Sequence, residues 1–151
     1  MDENNIPYAS CADGSPKGFF QLNTKDENYN YIFHAGNDPF DLQMRTYVKN
    51  GEVWVNWFVG KRTDSVWVFI DDDLQAINLQ NFIGKDPLME SNYNNRKQTD
   101  TQIYEAGITA HLWKAKLPEG LKPGDYSIRV MAKDSKGKLF NGFKTFYIDE
   151  K

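Results

Sequence analysis

The segment from Leu112 to Asp134, LWKAKLPEGLKPGDYSIRVMAKD, constrains the fold more than any other part of this chain. A run with strand character meets a connection built on Leu117-Pro118 and Pro123-Gly124. A second run then alternates Tyr126, Ile128, Val130 and Ala132. Pro123 presets its φ, and Gly124 reaches φ > 0 at little cost, so the pair reads as a turn between strands. Tyr126 opens the following strand, where its hydroxyl can bond back to upstream backbone in the manner of a tyrosine corner. Pro123, Gly124 and Tyr126 are therefore read as a structural turn.

Other strand-like runs follow one another from Gly18. They are GFFQL (18–22), YNYIFH (29–34), LQMRTYV (42–48), EVWVNWF (52–58), SVWVFI (65–70), QAINLQNF (75–82), TAHLWKA (109–115), DYSIRVMA (125–132) and FNGFKTFYI (140–148). Asn50-Gly51 between two of them is a strong hairpin signal, and Asp134 to Lys138 reads as a glycine-containing hairpin loop. No long segment carries a 3.6-residue period. The expected fold is all-β: an immunoglobulin-like antiparallel β-sandwich of about seven to nine strands. Residues 1–16 read as a polar lead-in or linker, 17–151 as the single sandwich domain, and about 83–105 as one long polar loop. The length of 151 residues suits one domain.

The aromatic share is 15%, and each buried ring removes roughly 150–250 Å² from water, enough to supply a core. The rings are distributed unusually. In 52–58, Val53, Val55 and Trp57 oppose Trp54 and Phe58; in 65–70, Val66, Val68 and Ile70 oppose Trp67 and Phe69. Both faces of what reads as a hairpin are apolar, whereas a sandwich strand buries one face in its own core. Trp54, Trp57, Phe58, Trp67 and Phe69 are therefore the candidate docking or ligand surface. It could be covered by the 74–105 segment, a partner domain or a ligand. Flat rings could also stack on sugars, which makes a carbohydrate-binding module the alternative function, although alternation puts Trp54 and Trp57 on opposite faces.

Reactive chemistry is sparse. His34 and His111 belong to no metal-binding spacing, and the single cysteine, Cys11, excludes a thiolate zinc site. Asp71-Asp72-Asp73 lacks the calcium-loop pattern. No GxSxG elbow or phosphate-cradling glycine loop occurs. The expectation is no catalytic residue, no metal ligand and no cofactor. Eighteen basic and twenty-one acidic residues give a net charge of −3, which argues against a nucleic-acid partner. MDENNIPYAS holds no apolar run, so no signal peptide is expected there. No run is long enough to insert in a membrane.

Two blocks resemble a known family. The first is Asp13-Gly14-Ser15-Pro16-Lys17-Gly18-Phe19 with Asp41-Leu42-Gln43-Met44-Arg45-Thr46-Tyr47. The second is Ala110-His111-Leu112-Trp113-Lys114-Ala115-Lys116-Leu117-Pro118, followed by Leu121, Pro123-Gly124, Ile128, Val130, Asp134 and Gly137, with Asp86-Pro87 between the blocks. Together they resemble the C-terminal domain of bacterial calcineurin-like metallophosphoesterases. Tyr126 stands where that pattern would favour histidine. The resemblance implies a non-catalytic accessory β domain packed against a catalytic phosphoesterase domain in cis. It also implies an extracytoplasmic location if the parent enzyme is exported. The family's metals sit on Asp, Asn and His ligands of the catalytic domain, and no GDxxD, GNH or GHxH pattern is present to carry them over.

Overall fold

Asn50 and Gly51 have φ of 53° and 74°, the two left-handed residues a tight hairpin turn needs to match strand twist. They join β4 (Met44–Lys49) to β5 (Glu52–Trp57) in register from Lys49↔Glu52 to Met44↔Trp57. The computed structural model describes residues 5–9, 18–23 and 30–35 as backbone strands, and 43–71, 73–99 and 105–149 in full. The other strands are β1 (Asn5–Ala9), β2 (Gly18–Asn23), β3 (Asn30–Ala35), β6 (Ser65–Ile70), β7 (Ile77–Lys85), β8 (Ile108–Lys116), β9 (Gly124–Lys133) and β10 (Leu139–Ile148).

The chain divides into two units. One comprises residues 1–43 and 83–109, the other 44–82 and 110–151. The first holds the antiparallel meander β1-β2-β3 and helix α1 (Pro87–Arg96). Strand β1 falls inside the stretch read as a lead-in. The helix falls inside the stretch read as a long polar loop, and this corrects that expectation. Its start is written locally: Asp86 is the N-cap, its Oδ1 accepts from the amides of Leu88 (2.9 Å) and Met89 (3.4 Å), and Pro87 follows at the first helical position. The helix has no buried residue, so it carries no apolar period by which to find it.

The second unit is a seven-stranded antiparallel sheet in the order β10-β9-β6-β7-β8-β5-β4. The all-β reading holds, and the two layers of the sandwich are one continuous sheet that curls through the β7–β8 seam. At the opposite side the edge strands meet: a Cβ on Gly142 of β10 would stand 2.7 Å from Met44 Sδ of β4. Two strands read as a hairpin, β5 and β6, do not pair. β5 lies between β4 and β8, and β6 between β7 and β9. Their inward residues Val53, Val55, Trp57, Val66 and Val68 meet across the core, with Met44, Leu79, Trp113, Ile128, Val130 and Ala132. Each fully buried aliphatic side chain contributes about 1.5–3 kcal/mol.

At the seam, the ladder is completed by a side chain. Asn81 on β7 donates from Nδ2 to the carbonyls of Ala110 (2.8 Å) and Leu112 (3.0 Å) on β8. These two bonds tie β7 to β8 through a side chain as well as the backbone.

Candidate functional site

The five aromatic residues singled out in the sequence separate in the structure. Trp57 is in the core, fully buried, with ring centroids 5.6 Å from Trp113 and 5.1 Å from Phe140. Trp54 lies on the opposite face of β5 and is also buried. Tyr47 stands beside it on β4 with ring planes 3° apart, Phe82 meets it edge-on at 5.4 Å, and the Lys114 ammonium sits 4.8 Å above its ring. Phe58 is buried, with the Arg45 guanidinium 5.9 Å from its centroid. Burial takes these three residues off the surface. The near-coplanar pair Tyr47 and Trp54 is buried as well, so it offers no open platform for a sugar ring.

Trp67 and Phe69 remain, both half-buried on the outward face of β6. Strand register extends them into rows that sequence spacing does not reveal. Phe69 is opposite Arg129 of β9, which is opposite Phe143 of β10. Trp67 is opposite Met131, which is opposite Asn141. The Arg129 guanidinium lies 4.3 Å over the Phe69 ring and donates through Nη1 to Met131 Sδ at 3.7 Å. Phe143 is 69% exposed, and Tyr147 and Leu139 on the same face of β10 are 60% and 51% exposed. Trp, Tyr, Phe, Met and Arg are the side chains enriched at the centres of protein interfaces. These rows mix rings and thioether with the Arg129 guanidinium and Asn141. The missed members, Arg129, Met131 and Phe143, alternate with core residues on β9 and β10. Only the registers β6–β9 and β9–β10 align them with Trp67 and Phe69.

A second feature is a hollow of about 410 Å³ lined by Glu52, Asn78, Gln80, Asn81, Phe82, Lys114, Ala115 and Lys116. Lys114 is its fixed point. Its ammonium lies 4.8 Å from the Trp54 centroid and 5.0 Å from that of Phe82, and it donates to Glu52 Oε1 (3.1 Å) and Oε2 (3.4 Å). Register explains the cage: Lys114 is directly opposite Trp54, and Lys116 directly opposite Glu52.

The residues that carry the family resemblance mostly have structural work. Leu112 and Trp113 are buried. The Asp134 carboxylate accepts from the amides of Lys136 (2.9 Å) and Lys138 (2.8 Å), closing a hairpin in which Gly137 has φ of 85°. Gly124 has φ of 148°. Tyr126 donates its hydroxyl to the Lys122 carbonyl at 3.0 Å and stacks on Phe146. His111 donates from Nδ1 to the Gly60 carbonyl at 2.7 Å, tying the loop after β5 to β8. Asp71 Oδ1 accepts from the amide (2.7 Å) and hydroxyl (3.1 Å) of Ser127, and Asp73 Oδ1 caps Gln75 N. These carboxylates extend ladders and turns. The side chains of Cys11 and His34 lie outside the described residues. Among the described residues no three His, Cys, Asp or Glu side chains converge as a metal site. His111 has one ring nitrogen committed to a carbonyl.

No curated protein and no solved structure matches the sequence. A family model does, over residues 1–140, and it is described as the C terminal of Calcineurin-like phosphoesterase. That span contains both motif blocks, the turn at Pro123-Gly124 and the Asp134 hairpin loop. With residue types that specify the sheet and its turns in place across it, the chain belongs to the family of C-terminal domains of calcineurin-like phosphoesterases.

Proposed function

We propose that this chain is a non-catalytic accessory β domain that packs against the catalytic domain of a calcineurin-like phosphoesterase. Family membership supports the association with such an enzyme. The single observation that supports docking is the Phe69–Arg129–Phe143 row, with Trp67 and Met131 beside it, left half-buried to exposed on the outward face of β6, β9 and β10. An inter-domain contact covers about 600–1,500 Å², an area that a patch spanning three strands can supply. Arg129 is its natural anchor, because a guanidinium already stacked on Phe69 loses little side-chain freedom when a partner closes over it. If the parent enzyme is exported, this domain acts outside the cytoplasm with it.

The test is calorimetric titration of this chain with the separately produced catalytic domain encoded in the same genome, followed by the same titration with Arg129→Glu. Binding that falls at least about tenfold in the variant, the scale of an interface hot spot, supports the reading. Absence of binding, or binding indifferent to Arg129→Glu and Phe143→Ser, refutes it.

A further inference from the structure

We propose that the hollow beside the β7–β8 seam is a binding site for a small oxyanion, a phosphate or carboxylate group carried on a polar molecule. Its volume of about 410 Å³ lies within the roughly 300–1,000 Å³ of small-molecule pockets.

The lining selects the charge. Two ammonium groups, Lys114 and Lys116, face one carboxylate, Glu52, and the remaining polar groups are the carboxamides of Asn78, Gln80 and Asn81. Glu52 is matched by Lys114 at 3.1 Å, so the lining keeps one positive charge in excess. Asn78, Gln80 and Lys116 are exposed at the rim, while Asn81 is committed through its Nδ2 to two carbonyls of β8. An oxyanion can therefore take charge-assisted bonds from Lys116 and Lys114 and amide bonds from Asn78 and Gln80. A neutral polyol would leave the excess charge unmatched.

The lining also prepares the site. Lys114 is held between the Trp54 and Phe82 rings and the Glu52 carboxylate, so its charge is in place before a ligand arrives and little ordering cost remains. Phe82 and Ala115 supply an apolar wall, which lowers the local dielectric and strengthens charge-assisted bonds. The hollow borders the docking face, since Asn78 stands directly opposite Trp67, but it shares no residue with that face and does not depend on the docking reading.

The test follows the side-chain amide resonances of Asn78, Gln80 and Asn81 and the backbone of β7 and β8 by nitrogen–proton NMR, at constant ionic strength held with sodium chloride. Inorganic phosphate, acetate and methyl glucoside are titrated in turn. Saturable shifts confined to the hollow are expected with phosphate, acetate or both, and which of them saturates identifies the group. Lys116→Met, at an exposed position, weakens binding about tenfold, the scale of a lost charge-assisted bond. Gln80→Ala weakens it less, and Lys61→Met, outside the hollow, leaves it unchanged. Three results overturn the proposal: shifts that do not saturate with either anion, an equal effect of Lys61→Met and Lys116→Met, or methyl glucoside binding at the same residues as tightly as the anions.

Discussion

Replacing Gly60 by alanine separates what the sequence suggests from what the packing dictates. Gly60 sits in a loop after β5, and its φ is not in the left-handed region. On local grounds, Gly60→Ala would stabilise by about 0.4–1 kcal/mol, because alanine restricts the unfolded chain. The structure reverses the sign. A Cβ there would lie 2.5 Å from Trp113 Cη2, 2.5 Å from Trp57 Cε3 and 2.7 Å from Trp57 Cδ2. Carbon atoms pack best at about 3.5–4.0 Å, so the overlap is about 1 Å against two rings at once. Neither ring can yield. Trp57 and Trp113 are 0% and 1% exposed, and they pack on each other and, through Trp57, on Phe140. The loop is held as well: Gly60 donates its amide to the Trp57 carbonyl at 2.9 Å and accepts from His111 at 2.7 Å. Overpacking of a closed core costs about 1–3 kcal/mol. Because the overlap is with two immobile rings at once, the cost lies in the upper half of that range, about 2–3 kcal/mol, and subtracting an unfolded-state gain of about 1 kcal/mol leaves a net loss of about 1–2 kcal/mol. With a urea slope of about 2 kcal/mol per M, the midpoint falls by about 0.5–1 M. Urea unfolding followed by tryptophan fluorescence measures this directly, and near-ultraviolet circular dichroism reports the displaced indoles. Gly107→Ala is the control, because nothing lies within 4 Å of a Cβ there; it is expected to be neutral or slightly stabilising. A Gly60→Ala midpoint equal to or above the parent's would refute the packing argument.

Lys114→Ala is expected to cost about 2 kcal/mol, the sum of two cation–π contacts and a partly shielded ion pair. A double-mutant cycle with Glu52→Gln should show coupling of about 0.5–1 kcal/mol, and strict additivity would mean the ion pair contributes nothing. Tyr126→Phe should lower stability by about 1 kcal/mol by removing the hydroxyl bond to Lys122, and an unchanged denaturation midpoint would sink the corner's energetic role. Lys85 pairs with Glu105, and their hydrogen bond raises the lysine's pKa above its usual 10.5 while holding the carboxyl below its usual 4.5. The contribution of Glu105 is therefore complete above pH 4.5 and fades as pH falls through the lowered value; that of Lys85 is complete below 10.5 and fades as pH rises through the raised one. The stability difference between parent and Glu105→Gln should be flat near neutrality and shrink on acidification, and thermal melts showing growth of that difference in acid would contradict the pairing.

Much of the local structure was legible in the chain. The ordering of β2 through β10 follows from period-two alternation, and Asn50-Gly51, Pro123-Gly124 and Asp134 to Lys138 are turns whose residue types impose their own dihedrals. Helix α1 was missed even though Asp86-Pro87 is a start signal, because a helix with no buried face shows no apolar period. β1 (NIPYA) was missed because five residues interrupted by Pro7 show no period-two alternation, and the strand is defined by its pairing with β2 (Asn5↔Asn23 to Ala9↔Phe19). The candidate surface was half legible: Trp67 and Phe69 lie on an outward face, while Trp54 and Phe58 are covered by partners from other strands.

The residue pattern by itself determined that this chain builds antiparallel strands, where they turn, and which family it joins. Alternation and turn dihedrals act within a few residues of one another, so they can be read in one dimension. Only the folded sheet decided which of two apolar faces became the core, that β5 and β6 belong to different layers, and that Arg129, Met131 and Phe143 join Trp67 and Phe69. It alone also put Lys114 between Trp54, Phe82 and Glu52. Those outcomes depend on register between strands distant in the chain, such as Glu52 and Lys114, 62 residues apart, and a shift of one residue would turn every side chain to the other face.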